Sequence, residues 1–304
     1  MTSPQLTPRA FAELALLALI WGGVFLAVRI ALDEIAPFGS VLLRVGIAAV
    51  ALWVVVLAGR LPLPATARTW RALLVMGLLN CVLPFSLMAW GQLHIPTGLT
   101  SILNATTAVF GVIVAALVFA DERLTLRRGI GVGLGFAGVV TAIGAETLSG
   151  LDLTSLAQLA VLAGTLCYAL AGAWARVHLR GLHPLVASAG MLTGAALLML
   201  PITALSEGLP SLDLSARVWG AVVFYALIAT AFAYLLYYRV LAMAGSGNLM
   251  LVTLMIPPVA ITLGALVRGE ELSHGAYAGF ALLATGLAVL DGRLVRRLAP
   301  ARRV

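Results

Sequence analysis

Ten apolar segments, each long enough to cross a membrane, follow one another along the chain with only short loops between them. A helix that spans the hydrocarbon core of a bilayer needs about 20 consecutive, mostly apolar residues. Hydrophobic residues make up 62% of the 304 positions and charged residues only 10%, so a water-soluble domain of this size could not bury the apolar surface. The pattern predicts an all-α integral membrane protein with ten transmembrane helices.

Proline and glycine, which interrupt helices, mark the boundaries between these segments. The predicted crossings are Ala10–Leu32, Pro37–Ala58, Trp70–Gln92, Thr97–Ala120, Arg127–Ala145, Ser155–His178, Pro184–Leu205, Ala216–Val240, Ala244–Arg268 and Gly275–Leu294. Almost no chain remains for a water-soluble domain.

Charge is divided unevenly between alternate loops. If the N-terminus is cytoplasmic, fifteen of the 19 basic residues, all of them arginine, lie in cytoplasmic segments, whereas the opposite loops carry eight of the 12 acidic residues. Loops rich in arginine stay in the cytoplasm during insertion. We therefore predict that both termini are cytoplasmic. The net charge of +7 is then a topology signal, and we expect no nucleic-acid partner.

The two halves of the chain resemble each other. Trp21 and Pro37 are sixteen residues apart, and so are Tyr168 and Pro184 at an offset of 147. These matches predict a first repeat over residues 1–150 and a second over residues 151–304. Each repeat contains five crossings, an odd number, so the second enters the membrane from the opposite side. Two inverted five-helix repeats are typical of secondary transporters, which bind substrate near the midplane between the repeats.

Two stretches, Leu99–Arg123 and Asn248–Ser273, correspond between the halves. Each is a crossing that ends in an acidic residue followed closely by leucine, as Glu122-Arg123-Leu124 and Glu270-Glu271-Leu272. The first crossing also contains Trp21-Gly22-Gly23, and the fifth and tenth are rich in glycine. With these features the sequence resembles the drug/metabolite transporter superfamily, specifically its EamA-type ten-helix transporters, and most of all the aromatic amino-acid exporters.

The resemblance implies a secondary transporter that exports amino acids, aromatic ones included, or related metabolites across the bacterial inner membrane by alternating access. It also implies that helices 1, 3, 4, 6, 8 and 9 line a central cavity, with helices 5 and 10 as scaffold. Exporters of toxic cations, drugs or nucleotide-type metabolites in the same superfamily are the alternative. The second half departs from the pattern, because Leu166-Cys167-Tyr168 replaces Trp21-Gly22-Gly23.

The predicted substrate site combines polar residues set deep in apolar segments, prolines inside crossings and aromatic side chains. Buried amides either contact substrate or bond to a neighbouring helix. Prolines remove backbone donors, which produces either a packing kink or a free carbonyl facing a cavity. Aromatic residues near crossing ends, such as Tyr238, could instead form the interfacial belt. The predicted residues are Trp21, Asn80, Pro84, Asn104, Thr107, Tyr168, Tyr234, Tyr238 and Pro257.

Arg44 lies about 10 Å into the second crossing, judged from the rise of a helix. The sequence favours an interfacial anchor, with a carboxylate-binding role as the alternative. No acidic residue stands deep in a crossing apart from Glu13 near its edge. Because a proton-coupled carrier needs a titratable group in its path, we hypothesise uniport or exchange.

Catalytic and metal-binding motifs are missing from the sequence. There is neither HExxH nor GxSxG, and Cys81 and Cys167 have no CxxC spacing. We therefore expect no enzymatic activity, no cofactor and no metal. The expected partners are a small-molecule substrate and the lipid bilayer, with no evident obligatory protein partner.

Overall fold

The computed structural model describes residues 7–120, 122, 125–144, 153–249 and 251–291, and its regular structure there is entirely helical. The transmembrane helices are α1 Pro8–Ala31, α2 Pro37–Ala58, α3 Ala67–Gly91, α4 Thr97–Val118, α5 Leu126–Ile143, α6 Leu153–His178, α7 Pro184–Ser206, α8 Ala216–Gly245, α9 Val252–Arg268 and α10 His274–Asp291. The predicted all-α membrane fold is confirmed.

Eight of these helices are long and apolar enough to cross a membrane outright, and the two others, α9 and α10, are shorter apolar helices. The ninth crossing starts later than predicted. We expected it to begin at Ala244, but Gly245 adopts φ 75° and ψ 165°, helical residues continue to Leu249, and α9 begins only at Val252. A positive φ is accessible to glycine at little cost, so Gly245 ends the straight part of α8.

Several sequence features lie outside the described residues. These include Arg123 and Leu124 of the first acidic motif, Ala145 at the predicted end of the fifth crossing, the loop acids Glu146 and Asp152, and residues 292–304 with their five arginines.

Two crossings contain a segment of π-helix, which is wider than an α-helix and is frequent at functional sites. The segments are Leu78–Val82 in α3 and Phe224–Phe232 in α8. In α3 the cause is local, because Pro84 has no N–H to donate to the carbonyl of Asn80 and Leu83 N–H instead bonds five residues back to Leu78. In α8 the Thr230 hydroxyl donates to the Tyr225 carbonyl at 2.7 Å.

The packing of the helices follows the repeat. Helix α1 of the first repeat contacts α8 and α9, and its counterpart α6 contacts α3 and α4. Helix α2 packs against its counterpart α7, and α5 against its counterpart α10. Because each contact recurs with the roles of the repeats exchanged, the helices are related by an approximate twofold arrangement, as expected for repeats with five crossings each.

Helices α5 and α10 approach very closely. A Cβ on Gly138 would lie 2.5 Å from the backbone nitrogen of Leu283, and one on Gly286 would lie 2.7 Å from the carbonyl oxygen of Gly131. Small residues at such crossings let helix backbones touch. Arg127 at the start of α5 donates to the carbonyls of Val289 and Leu290, at 2.9 and 2.6 Å, and so stabilises the end of α10.

Candidate functional site

A central cavity of about 610 Å³ lies between the two repeats. Its lining residues come from α1, α2, α3, α4, α6, α7, α8 and α9, whereas α5 and α10 contribute none. The expectation that α5 and α10 stand apart from the cavity agrees with this lining. Helices α2 and α7, which the resemblance did not include, also line it, because they pack against each other between the repeats.

The structure brings seven of the nine predicted site residues to this cavity. They are Trp21, Asn80, Asn104, Thr107, Tyr168, Tyr234 and Tyr238. Pro84 and Pro257 are buried in their helices and are not among the lining residues. Pro84 packs instead against α6, where a Cβ on Gly164 would lie 3.3 Å from its Cα, and it shapes the π-helical turn. Contact of any of these residues with a substrate stays a prediction.

Four aromatic rings form a connected series along the cavity wall. Trp21 lies 5.9 Å from Tyr237, and Tyr237 lies 5.2 Å from Tyr238 in an edge-to-face arrangement, measured between ring centroids. Tyr238 in turn stacks 6.5 Å from Tyr234. Tyr237 and Tyr238 therefore line the cavity. The alternative, that aromatic residues near crossing ends belong only to the interfacial belt, does not describe these two. Such surfaces suit an aromatic ring or a long aliphatic chain.

The two predicted asparagines differ in how they are satisfied. Asn80 Nδ2 donates to the Tyr234 hydroxyl at 3.3 Å and contacts Met191 Sδ at 3.4 Å, so it links neighbouring helices. The Asn104 side chain makes no hydrogen bond within the described part of the chain, although it lines the cavity. Thr107 donates to the Asn104 carbonyl at 2.8 Å. The Asn104 amide is therefore able to bond to a molecule in the cavity.

Arg44 faces the cavity rather than the interface that the sequence favoured. Its Nε donates to the Thr230 hydroxyl at 3.0 Å, and its Cζ lies 3.8 Å from the centroid of the Phe85 ring, a cation–π contact. Phe85 meets Tyr168 edge to face at 6.4 Å. A charge at a helix centre in a bilayer costs about 2.5 to 3.5 kcal/mol on insertion scales, so the contacts with Thr230 and Phe85 offset part of a substantial penalty.

The cavity is closed toward the face that carries the α1–α2 loop. Buried side chains of Phe25, Val28, Met88 and Gln92 line this end, and Gln92 Nε2 donates to the Phe25 carbonyl at 2.9 Å. The opposite end extends to Leu182 and Pro184 near the α6–α7 loop.

Ion pairs and carboxylate caps join the helices above the closed end. Arg268 at the end of α9 forms two bonds to the carboxylate of Asp33, at 2.9 and 3.3 Å, and Arg29 makes a third at 3.3 Å. Glu207 accepts the backbone N–H groups of Phe38 and Gly39, at 3.2 and 3.0 Å, at the start of α2. These contacts tie the two repeats together on this face.

Glu34, in the α1–α2 loop, caps the start of α8 by accepting the backbone N–H of Ser215 at 2.8 Å. Hydrogen bonds from the Ser215 side chain and backbone lower the pKa of Glu34 below 4.5. The Thr97 hydroxyl donates to the carboxylate of Glu270, and this hydrogen bond joins the start of α4 to the α9–α10 loop.

Sequence reasoning missed several lining residues. Phe85, Gln92, Thr230 and Met191 are each unremarkable in an apolar segment, and only their neighbours in space give them a role. One signal was available for Met191, because the offset of 147 that aligns Pro37 with Pro184 also places Met191 on Arg44. Among the described residues no group of three or more His, Cys, Asp or Glu side chains could hold a metal ion.

An all-helical protein with ten crossings, arranged as two repeats around a cavity, has the architecture of a secondary transporter. Residues 11–144 and 155–290 each match the EamA-like transporter family, so the chain belongs to that family. It is therefore a multi-pass membrane transporter and not an enzyme.

Curated relatives at low identity carry transporter names. The chain is 22% identical over 270 residues to the uncharacterized transporter YoaV of Bacillus subtilis, covering 88% of this chain and 92% of that protein. It is 27% identical over 292 residues to a protein named "Probable terminal-alkyne amino-acid exporter" from Streptantibioticus cattleyicolor, covering 95% of both. A solved crystal structure superimposes with a TM-score of 0.67 at 21% identity, over 97% of this chain and 99% of that one, which supports the fold.

Proposed function

We propose that the protein exports amino acids, aromatic ones among them, or closely related metabolites across the bacterial inner membrane by alternating access. The observation that carries the proposal is the lining of the cavity, where tyrosine and tryptophan rings, neutral amides and one arginine converge between the repeats. An aromatic wall accepts an apolar side chain, and the few polar groups orient the rest of a small zwitterion. The name of the relative from Streptantibioticus cattleyicolor points to the same substrate class.

Export requires that substrate be collected from the cytoplasm. The arginine-rich segments favour a cytoplasmic position for the termini and the α6–α7 loop, and the open end of the cavity extends to Leu182 and Pro184 at that loop. The closed end then faces the outside. In this arrangement the cavity loads from the cytoplasm and discharges when the contacts among α1, α2, α8 and α9 on the outer face separate.

Export of toxic cations is the weaker alternative. Arg44 lines the cavity, and no aspartate or glutamate is among the lining residues that the structure describes. A cationic substrate would meet a like charge without a counter-ion, which is unfavourable in a site of low dielectric.

A transport survey in proteoliposomes tests the proposal. Purified protein is reconstituted, and the uptake of labelled amino acids is measured with and without unlabelled amino acid inside the vesicles. A carrier shows saturable uptake that internal substrate accelerates, whereas a channel does not. Uptake of no amino acid, together with uptake of an organic cation, would contradict the proposal.

Three alanine variants test the site itself. Asn104→Ala, Trp21→Ala and Tyr168→Ala each remove a cavity-lining group, so we expect uptake to fall about 10-fold or more while folding is retained. Trp70→Ala is the matched control, since Trp70 is 38% exposed and does not line the cavity. Loss of transport in the control to the same degree would show that the effect is structural.

A further inference from the structure

We propose that Arg44 binds the carboxylate of the transported molecule, and that through Arg44 the site selects carboxylate-bearing substrates over analogues in which the carboxylate is absent or replaced by a neutral carboxamide. The inference deepens the proposed function and rests on it for the choice of amino acids as probes.

The Arg44 side chain is held in place by two contacts that leave part of its guanidinium group unoccupied. Nε is occupied by Thr230 at 3.0 Å, and one face of the guanidinium covers the Phe85 ring at 3.8 Å. Within the described chain neither Nη nitrogen makes a hydrogen bond, although the residue lines the cavity. These contacts hold the guanidinium plane in place, and its outer edge, which carries four N–H donors, is left for a ligand. A carboxylate matches that edge in a bidentate pair.

Arg44 has no counter-charge from the described part of the protein. Three of the described acids near the helix ends form ion pairs with other arginines: Glu13 with Arg9 and Arg239, Asp33 with Arg29 and Arg268, and Glu122 with Arg128 and Arg176. No described acidic residue forms an ion pair with Arg44. A cation held at membrane depth without a protein anion is best stabilised by an anion that arrives with the substrate.

The second repeat has an uncharged residue at the position that corresponds to Arg44. The offset that pairs Pro37 with Pro184 places Met191 of α7 at the position of Arg44 in α2. Both side chains line the cavity, and both touch the π-helical part of the third helix of the opposite repeat, Arg44 at Thr230 and Met191 at Asn80. Since the same place in the packing accepts methionine, the fold does not require a charge there. The charge is therefore best explained by the ligand.

The aromatic groups complete the proposed recognition. Phe85 joins Arg44 to Tyr168, so the carboxylate position lies next to an aromatic surface. The Asn104 amide makes no hydrogen bond within the described residues and lines the same cavity. Its oxygen can accept a hydrogen bond from an ammonium group of the substrate. A substrate that combines a carboxylate, an ammonium group and an apolar side chain fits this set of groups.

Binding of four related probes to the purified protein in nanodiscs tests the proposal. The probes are L-phenylalanine, 3-phenylpropionate, L-phenylalaninamide and 2-phenylethylamine, which share a ring and differ in the carboxylate and the amine. The wild type is expected to bind the two carboxylates about 10- to 100-fold more tightly than the other two, the range for a charge-assisted hydrogen bond. Equal affinity for phenylalanine and phenylalaninamide would overturn the proposal without any variant.

Substitutions assign the selectivity to Arg44. Arg44→Met, which copies the residue of the second repeat, should abolish the preference for carboxylates by weakening the binding of phenylalanine and 3-phenylpropionate, and it should not weaken the binding of phenylalaninamide, which has no carboxylate. Arg44→Lys keeps the charge but loses the bidentate geometry, and should show an intermediate preference. Arg217→Met is the matched control, because Arg217 is exposed and does not line the cavity. A carboxylate preference that survives Arg44→Met in folded protein would refute the assignment.

Failure of this assignment and failure of the proposed function give different results. Transport of amino acids with unaltered selectivity in Arg44→Met would leave amino-acid export standing and remove Arg44 from it. Binding of 3-phenylpropionate that depends on Arg44, without binding of any amino acid, would keep the carboxylate site and reject amino-acid export.

Discussion

Asp33→Asn should make the cavity open more often toward the face that carries the α1–α2 loop. Asp33 accepts two bonds from Arg268, at 2.9 and 3.3 Å, and one from Arg29 at 3.3 Å. The Arg268 contact ties the end of α1 to the end of α9 above the closed end of the cavity. Removal of the charge weakens both ion pairs and leaves the size of the side chain unchanged.

The magnitude follows from the exposure of the pair. The side chains of Arg268 and Asp33 are 22% and 32% exposed, so solvent screens the interaction and its contribution is about 0.2 to 1 kcal/mol. At RT of about 0.59 kcal/mol, loss of that contribution raises the ratio of open to closed states about 1.4- to 5-fold. The change is modest, so the assay must report the open state directly.

Thiol labelling from the face that carries the α1–α2 loop provides that readout. Val28 is 8% exposed, lines the cavity and lies one to two helical turns below Asp33, so a cysteine there reacts only when this end opens. The label is a membrane-impermeant maleimide, applied to Val28→Cys in a background with Cys81→Ala and Cys167→Ala. We expect Asp33→Asn to raise the labelling rate about 1.4- to 5-fold, because the rate follows the open population.

The matched control is Glu271→Gln, which removes one negative charge from the same face. Glu271 is exposed and forms no ion pair within the described residues. If the two variants label at the same rate, the ion pairs of Asp33 do not hold this end closed, and the reasoning fails.

Three further predictions concern helix packing, the pH dependence of stability and the coupling of transport to a pH gradient. Gly138→Ala should lower the free energy of unfolding by about 1 to 3 kcal/mol, because its Cβ would meet the α10 backbone, whereas Gly133→Ala, with nothing within 4 Å, should have little effect in thermal unfolding. The pKa of Glu34 is lowered by Ser215, so the stability from this cap is present above a pH of about 4.5 and is lost as the pH falls through the lowered pKa. The difference in Tm between the wild type and Glu34→Gln should therefore shrink in acid; a constant difference would contradict the assignment. Because no described acid or histidine lines the cavity, a pH gradient alone should not drive accumulation of substrate in vesicles, and accumulation under that condition would refute uniport or exchange.

The fold could largely be predicted from the sequence. Apolar length indicates the crossings, and the recurrence of Trp21 and Pro37 as Tyr168 and Pro184 indicates the repeat. The start of α9 was predicted wrongly, since hydropathy does not distinguish the helical residues before Leu249 from the crossing that follows them. The π-helical segments were not predicted either. Pro84 explains one of them, but the segment in α8 contains no proline.

The candidate site was predictable only in part. Deep polar and aromatic residues were identified by type, and most of them line the cavity, whereas Pro84 and Pro257 were selected for the helix geometry they impose and lie away from its lining. The sequence could not separate Asn80, which bonds to Tyr234, from Asn104, whose side chain has no such partner in the described chain. Both are asparagines in apolar segments, and only the neighbouring helix distinguishes them.

The sequence alone determined that the chain is a membrane protein with ten helical crossings in two halves, because the length and polarity of a segment decide whether it enters a bilayer and are properties of that segment. The tertiary structure decided which side chains share the cavity and which end of it is closed. Arg44 shows the reason. Its hydrogen bond to Thr230 joins residues 186 positions apart. The environment of the guanidinium is therefore set by how the two repeats pack and not by the sequence of the second helix.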